Sequence, residues 1–167
     1  LLLLAAIHYQ TGNLTAGLGH VEQCLSVAPK YMPAIPLHAR ILHGMGRSAE
    51  AVAACDAGLA LQPGDPALMM QKAEAQAQCH DSAGAWQTLQ PLLLQQTVSP
   101  SAAGLAARAL HGLGRHEEAI EWAQRAAHDP TSSAEISRIN WMQVAKVCDR
   151  VGRFDDAVAG CLKAHAP

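Results

Sequence analysis

Aromatic residues are scarce, with three Trp, two Tyr and one Phe in the whole chain of 167 residues. Sandwiches and barrels build their cores largely from aromatic and β-branched side chains, so this shortage speaks against an all-β fold. An excess of either charge is also missing: 12 Lys and Arg face 14 Asp and Glu, for a formal charge of -2. That removes the electrostatic case for nucleic acid or an anionic membrane surface as partner. No apolar run approaches the ~20 residues of a membrane span. The five cysteines, Cys24, Cys55, Cys79, Cys148 and Cys161, are odd in number and form no Cys-x-x-Cys. Neither a full disulfide framework nor a zinc site is indicated, and thiols packed in a core, in the reducing cytoplasm, are expected. The opening LLLLAAI is as apolar as a signal peptide but has no basic residue ahead of it, and it runs straight into polar helical sequence. It is expected to be a helix entered part-way.

Catalytic signatures are missing too. His116-Glu117-Glu118 begins like a zinc-protease helix, but Ile120 stands where the second His is needed. There is no Gly-x-Ser-x-Gly, and the nine histidines include no pair four apart on one helix. Asn13-Leu14-Thr15 matches a glycosylation sequon but sits in a turn, and such triplets are frequent by chance. The chain is therefore expected to be no enzyme and to hold no cofactor or metal.

Alanine and glycine are plentiful, half of the residues are apolar, and they recur with a period. LHGMGR at 42–47 returns as LHGLGR at 110–115, a spacing of twice 34. Steps of 34 connect Gly12, Gly46, His80 and Gly114, and a fifth step of 38 reaches Gly152. Five residues beyond this column stand Gly17, Ala51, Ala85, Ala119 and Ala157, and seven before it stand Ala5, Ala39, Ala73, Ala107 and Ala145. Two small-residue columns at a fixed period predict two closely approaching helices around a turn in each unit. The glycine column then ends the first helix in a left-handed conformation, which accounts for the Gly-x-Gly without a phosphate loop. Asp65-Pro66 and Ser99-Pro100 are helix starts, Pro29 and Pro63 are stops, and Ser132 with Glu135 has the form of a capping box. The box starts the last first helix early, so the four added residues, about one turn, lengthen that helix.

With these columns the chain resembles the tetratricopeptide repeat family, whose 34-residue helix-turn-helix unit carries a Trp, Gly, Ala and aromatic pattern. The last unit matches at Trp141, Ala145, Gly152, Phe154, Ala157 and Ala164. The Trp column elsewhere holds Ile35, Met69 and Ala103, and the next Leu column holds His38 and Lys72. The resemblance implies an all-α, right-handed superhelical solenoid of antiparallel helix pairs over 1–167, in units of about 1–31, 32–65, 66–99, 100–131 and 132–167. It implies a scaffold that binds a peptide or partner segment in a concave groove lined by first helices. One and four residues after the first small column, these helices present Arg40 and His43, Glu74 and Ala77, Arg108 and His111, and Lys146 and Asp149. Tyr9, Arg150 and the adaptable thioethers of Met70 and Met142 adjoin them. The cations outnumber the acids, so an acidic or C-terminal peptide is the natural guest. The Asn-containing carboxylate clamp of family members that bind chaperone tails has no counterpart here. Uncapped apolar ends make self-association an outlet. The other expectation is a docking array of a longer enzyme, such as a bacterial sulfotransferase or a glycosyltransferase.

Overall fold

The computed structural model describes residues 1–95 and 97–165. These form ten α-helices and no strand. The chain divides into two compact units, Leu1–Cys79 and His80–Pro167. The first contains α1 (Leu2–Gln10), α2 (Leu14–Val27), α3 (Ala34–Gly44), α4 (Ser48–Leu61) and α5 (Pro66–Gln78). The second contains α6 (Ser82–Leu93), α7 (Pro100–Gly112), α8 (His116–His128), α9 (Ala134–Arg150) and α10 (Phe154–Ala164). Odd-numbered helices are the first helices expected from the repeat, and even-numbered helices the second.

Every residue of the turn column has a positive φ, with Gly12, Gly46, Gly114 and Gly152 between 75° and 78° and His80 at 60°. Glycine enters this region without a Cβ penalty, whereas His80 takes it at a steric cost. In four of the turns the residue after the glycine donates its N–H five residues back. The pairs are Asn13 to His8, Arg47 to Leu42, Arg115 to Leu110 and Arg153 to Cys148, at 2.8 to 2.9 Å. These bonds take up carbonyls that the helix end would leave open.

The next helix starts at once. Asn13, Asp65, Asp81, Ser99 and Ser133 each accept a backbone N–H at their helix N-terminus through the side chain. Ser133 replaces Ser132, the cap expected from sequence. Asp129 accepts the Thr131 N–H at 2.8 Å through its side chain and the Ser132 N–H at 2.9 Å through its carbonyl. That turn holds the Ser132 N–H, its hydroxyl is left without a partner, and Ser133 is the N-cap of α9. The added residues do lengthen α9, which has 17 residues against 13 in α7.

Both small-residue columns are buried throughout. In the first unit α3 packs on α1 and α2, and α5 on α3 and α4. Its core gathers Ala5, Leu18, Val21, Ala34, Ile41 and Leu42. In the second unit α7 lies against α6 and α8, α9 rests on α7 and α8, and α10 closes on α9. Its core includes Ile120, Ala123, Trp141, Val144, Val147 and Cys148. The departures from the family's Leu column are paired across helices: His38 lies 3.9 Å from Glu22, and Lys72 lies 2.6 Å from Asp56. Each polar residue on a first helix therefore meets an acid on the preceding second helix, and the two acids are themselves 34 apart.

Of the cysteines, Cys55 and Cys148 are in the core as expected, Cys24 is half-buried, and Cys79 and Cys161 are exposed. Cys161 departs from the expected core position because, among the described residues, no helix covers its side of α10. Burial raises the Cys55 thiol pKa to about 11, and it raises that of Cys148 as well, so both stay protonated at neutral pH.

Candidate functional site

In the first unit the groove columns converge on a polar pocket of about 270 Å³ between α1, α3 and α5, lined by Tyr9, Ala39, Arg40, His43, Gln71 and Glu74. Ala39 makes room for it, because the small column keeps the helix backbones close. The Arg40 guanidinium sits 4.7 Å from the centre of the Tyr9 ring and donates to the Tyr9 hydroxyl at 3.3 Å. Cation–π attraction and this hydrogen bond hold the arginine over α1. Two polar atoms here, His43 Nδ1 and Gln71 Oε1, are buried without a hydrogen-bond partner. Such atoms cost free energy until something supplies the missing bond. Met70 is half-buried and lies outside the residues that line this pocket.

The second unit uses the same columns differently. Arg108, Arg138, Ile139, Met142, Gln143 and Lys146 line a pocket of about 450 Å³. Three cations line it beside the apolar Ile139 and Met142, and no carboxylate is among the lining residues. Arg138, Met142 and Lys146 are spaced four apart, so one face of α9 presents them in line.

His111, the counterpart of His43, turns away to the start of α8. Its Nδ1 lies 3.3 Å from Nδ1 of His116, so one nitrogen must carry a proton while the other accepts it. Burial lowers the His111 pKa from its ordinary value, and the His116 and Arg150 charges lower it further. Arg150 therefore acts here on His111, and it is not among the residues of the cationic pocket. Asp149 lines a third, more apolar cavity of about 510 Å³, with Met142, Lys146 and α10 residues Val158, Cys161 and Leu162.

The recurring arginine of the two hexapeptides belongs to the turns. Arg47 holds Glu50 at 2.6 Å and Arg115 holds Glu118 at 2.6 Å, each through two hydrogen bonds at the start of the next helix. Among the described residues no group of three or more His, Cys, Asp or Glu comes together as a metal site. No helix among them is long and apolar enough to cross a membrane.

Sequence comparison matches residues 100–127 to the family described as Tetratricopeptide repeat. These residues include the α7 turn at Gly114, the small column and Arg108. Residues 100–127 thus match a tetratricopeptide repeat, and the chain has the fold of tetratricopeptide repeat proteins. No curated protein matches its sequence. Among solved structures, the fold is similar to MamA 41-end from Desulfovibrio magneticus RS-1, with a TM-score of 0.82 and 17% identity over 96% of this chain and 88% of that one. It is similar also to a tetratricopeptide repeat protein from Parabacteroides merdae, with a TM-score of 0.80 and 17% identity over 94% and 60% of the two chains. A chain of the APC/C hetero-tetramer Cut9-Hcn1 matches with a TM-score of 0.82 at 15% identity, covering 98% of this chain and 32% of that longer one.

Sequence reasoning missed Gln71, Arg138, Ile139 and Gln143 as pocket residues. Gln71 stands three before Glu74, and Arg138 can be reached from Lys146 by two helical steps of four. That signal was present, but the groove positions were taken one and four residues after the small column, with Tyr9, Met70, Met142 and Arg150 beside them, and these left out the steps to Gln71 and Arg138. Arg138 also occupies the position where Pro66 and Pro100 begin their helices, and only the added turn of α9 carries it inside one.

Proposed function

We propose that this protein is a non-catalytic scaffold whose second unit binds an acidic segment of a protein partner against α7 and α9. Folds of this type typically mediate protein–protein interaction. The observation that carries the finer reading is the pocket lined by Arg108, Arg138 and Lys146 together with Ile139 and Met142. Exposed cations around a cleft favour an acidic guest and steer its approach. The thioether and the isoleucine offer a seat for one apolar side chain of that guest, and methionine adapts to its shape. In the first unit Arg40 and Glu74 bring charges of both signs, so that pocket suits a single hydrogen-bonding side chain better than an acidic run. A second copy of the chain is a further partner of this reading.

The test is fluorescence anisotropy with a set of acidic peptides, each containing one large apolar residue, and their carboxamide counterparts. Acidic peptides should bind in a salt-dependent way, and an Arg108→Ala, Arg138→Ala, Lys146→Ala variant with unchanged helicity should lose them. Equal binding of acidic and carboxamide peptides would reject the reading.

A further inference from the structure

The cationic pocket of the second unit has a spacing as well as a charge. Arg138, Met142 and Lys146 follow one another every four residues on α9. At ~1.5 Å of rise per residue each step is about 6 Å, so the two cations stand about 12 Å apart along the helix, one on either side of the thioether. Arg138 and Lys146 are exposed and Met142 is half-buried. Arg150, the next residue of this stripe, is not among the residues that line the pocket. The same columns hold Pro100, Gly104 and Arg108 on α7, and Pro66, Met70 and Glu74 on α5. Neither helix has a cation at both ends of the line, and α9 has one because its added turn carries Arg138.

A guest laid along this line has to repeat its own contacts at the same interval. Alternate side chains of an extended chain share one face and lie about 6.6 Å apart, which is within about 1 Å of the helix step. A helical guest repeats at about 6 Å through positions four apart, so spacing does not separate the two and volume has to. The cavity of about 450 Å³, spread over the ~12 Å between the cations, has a cross-section of ~40 Å². A strand, spaced about 4.7 Å from its neighbours and ~10 Å from the next sheet, occupies ~47 Å². A helix ~10 Å across takes ~80 Å². The extended chain is the one that fits.

We propose that this pocket selects an extended segment of a protein partner in which an acidic residue, one spacer, an apolar residue, one spacer and a second acidic residue follow in order. The acids meet Arg138 and Lys146 at the two ends. The apolar side chain rests between them on Met142, whose unbranched thioether follows its shape. Arg108 adds a cation from α7. The spacer side chains point away from α9, because successive side chains of a strand alternate between faces, and they carry no requirement of their own. This inference rests on the reading of the second unit as a site for acidic segments and adds to it the order of the residues.

Three peptides of identical composition and charge test the order. Acetyl-GSSDSLSDSSG-amide has the extended spacing, acetyl-GSSSDLDSSSG-amide brings both acids next to the leucine, and acetyl-GDSSSLSSSDG-amide has the spacing of a helix. Titration of each labelled peptide with the full chain, followed by fluorescence anisotropy, should show the first binding about 10-fold tighter than either of the others, because displaced acids forgo their exposed cations. The Arg138→Gln, Lys146→Gln double variant, changed at exposed positions, should keep the circular dichroism of the parent and bring the three peptides to within about twofold of one another. Equal affinities for the parent would overturn the order of residues and leave the acidic reading in place. Tightest binding of the third peptide would overturn the extended guest. Failure of the first peptide where other acidic peptides bind would overturn the order alone, whereas failure of every acidic peptide would overturn the pocket reading with it.

Discussion

The two compact units carry the same Arg/His pair on the same helix columns and put it to different uses. In the first, Arg40 is held over Tyr9 and His43 has a buried nitrogen without a partner beside Gln71. In the second, His111 is taken up by His116, and Arg108 joins Arg138 and Lys146 around an apolar floor. The difference begins one residue after the turn arginine. There the first unit has Ser48, which donates to Gln78 at 2.6 Å, and the second has His116. A repeat column thus decides where a side chain stands, and the residues around it decide what it can bind.

The largest expected effect breaks the packing the units share. A Cβ at Gly58 would lie 2.8 Å from Leu68 and 2.9 Å from Ile35, and one at Gly104 would lie 2.6 Å from Asn140. Gly58→Val and Gly104→Val should each cost about 1–3 kcal/mol by overpacking, read from urea unfolding. A change within about 0.5 kcal/mol at either site, the range of ordinary surface substitutions, would show that the close approach is not needed there.

Next in size is the contrast between the pockets. Removing Arg108, Arg138 and Lys146 together should weaken an acidic peptide by roughly 10- to 100-fold, or about 1.4 kcal/mol per tenfold step. Arg40→Ala should change the same affinity by less than about threefold, since a single rim charge is worth little. Equal losses would erase the distinction between the units.

His116→Ser transplants the first unit's residue into the second. Burial, His116 and Arg150 all lower the His111 pKa in the folded chain, so the unfolded chain takes up that proton first as pH falls. Stability from neutral His111 is present above the ordinary histidine pKa and is lost as pH falls through the lowered one. Removing the His116 charge should move the His111 titration part-way back up, measured by NMR. Burial and Arg150 account for the remaining depression, and an unmoved titration would dissociate the two rings.

The smallest effect should be the same in both units. Arg47 and Arg115 hold the Glu50 and Glu118 carboxyls below their ordinary pKa by side-chain hydrogen bonds. Their contribution exists above the usual carboxylate pKa and is lost as pH falls through the lowered value. Arg47→Gln and Arg115→Gln should give small, matching losses in thermal midpoint that fade in high salt. A much larger loss at one site would mean that the two turns are not equivalent.

Much of this was legible one residue at a time. Gly12, Gly46, Gly114 and Gly152 mark turns because a left-handed residue after a helix favours glycine, and the position of His80 followed from the period alone. The proline starts of α5 and α7 were equally clear, since proline lacks a donor that the first helical turn does not use. Ser132 was misread because adjacent hydroxyls compete for one cap, and the Asp129 turn before them decides between them. Cys161 was expected inside because its column is buried elsewhere. The pocket residues Gln71 and Arg138 lay on legible helix faces, but their joining into pockets depends on helices far apart in sequence.

By itself the sequence determined the helix pairs, their turns and which small residues lie between them, because backbone conformation and close packing impose local, periodic requirements. Only the tertiary structure decided that His43 keeps an unsatisfied nitrogen while His111 does not, and that Arg138 completes a cationic pocket. Hydrogen-bond partners and charge clusters depend on distances between helices, and a repeat period does not encode those distances.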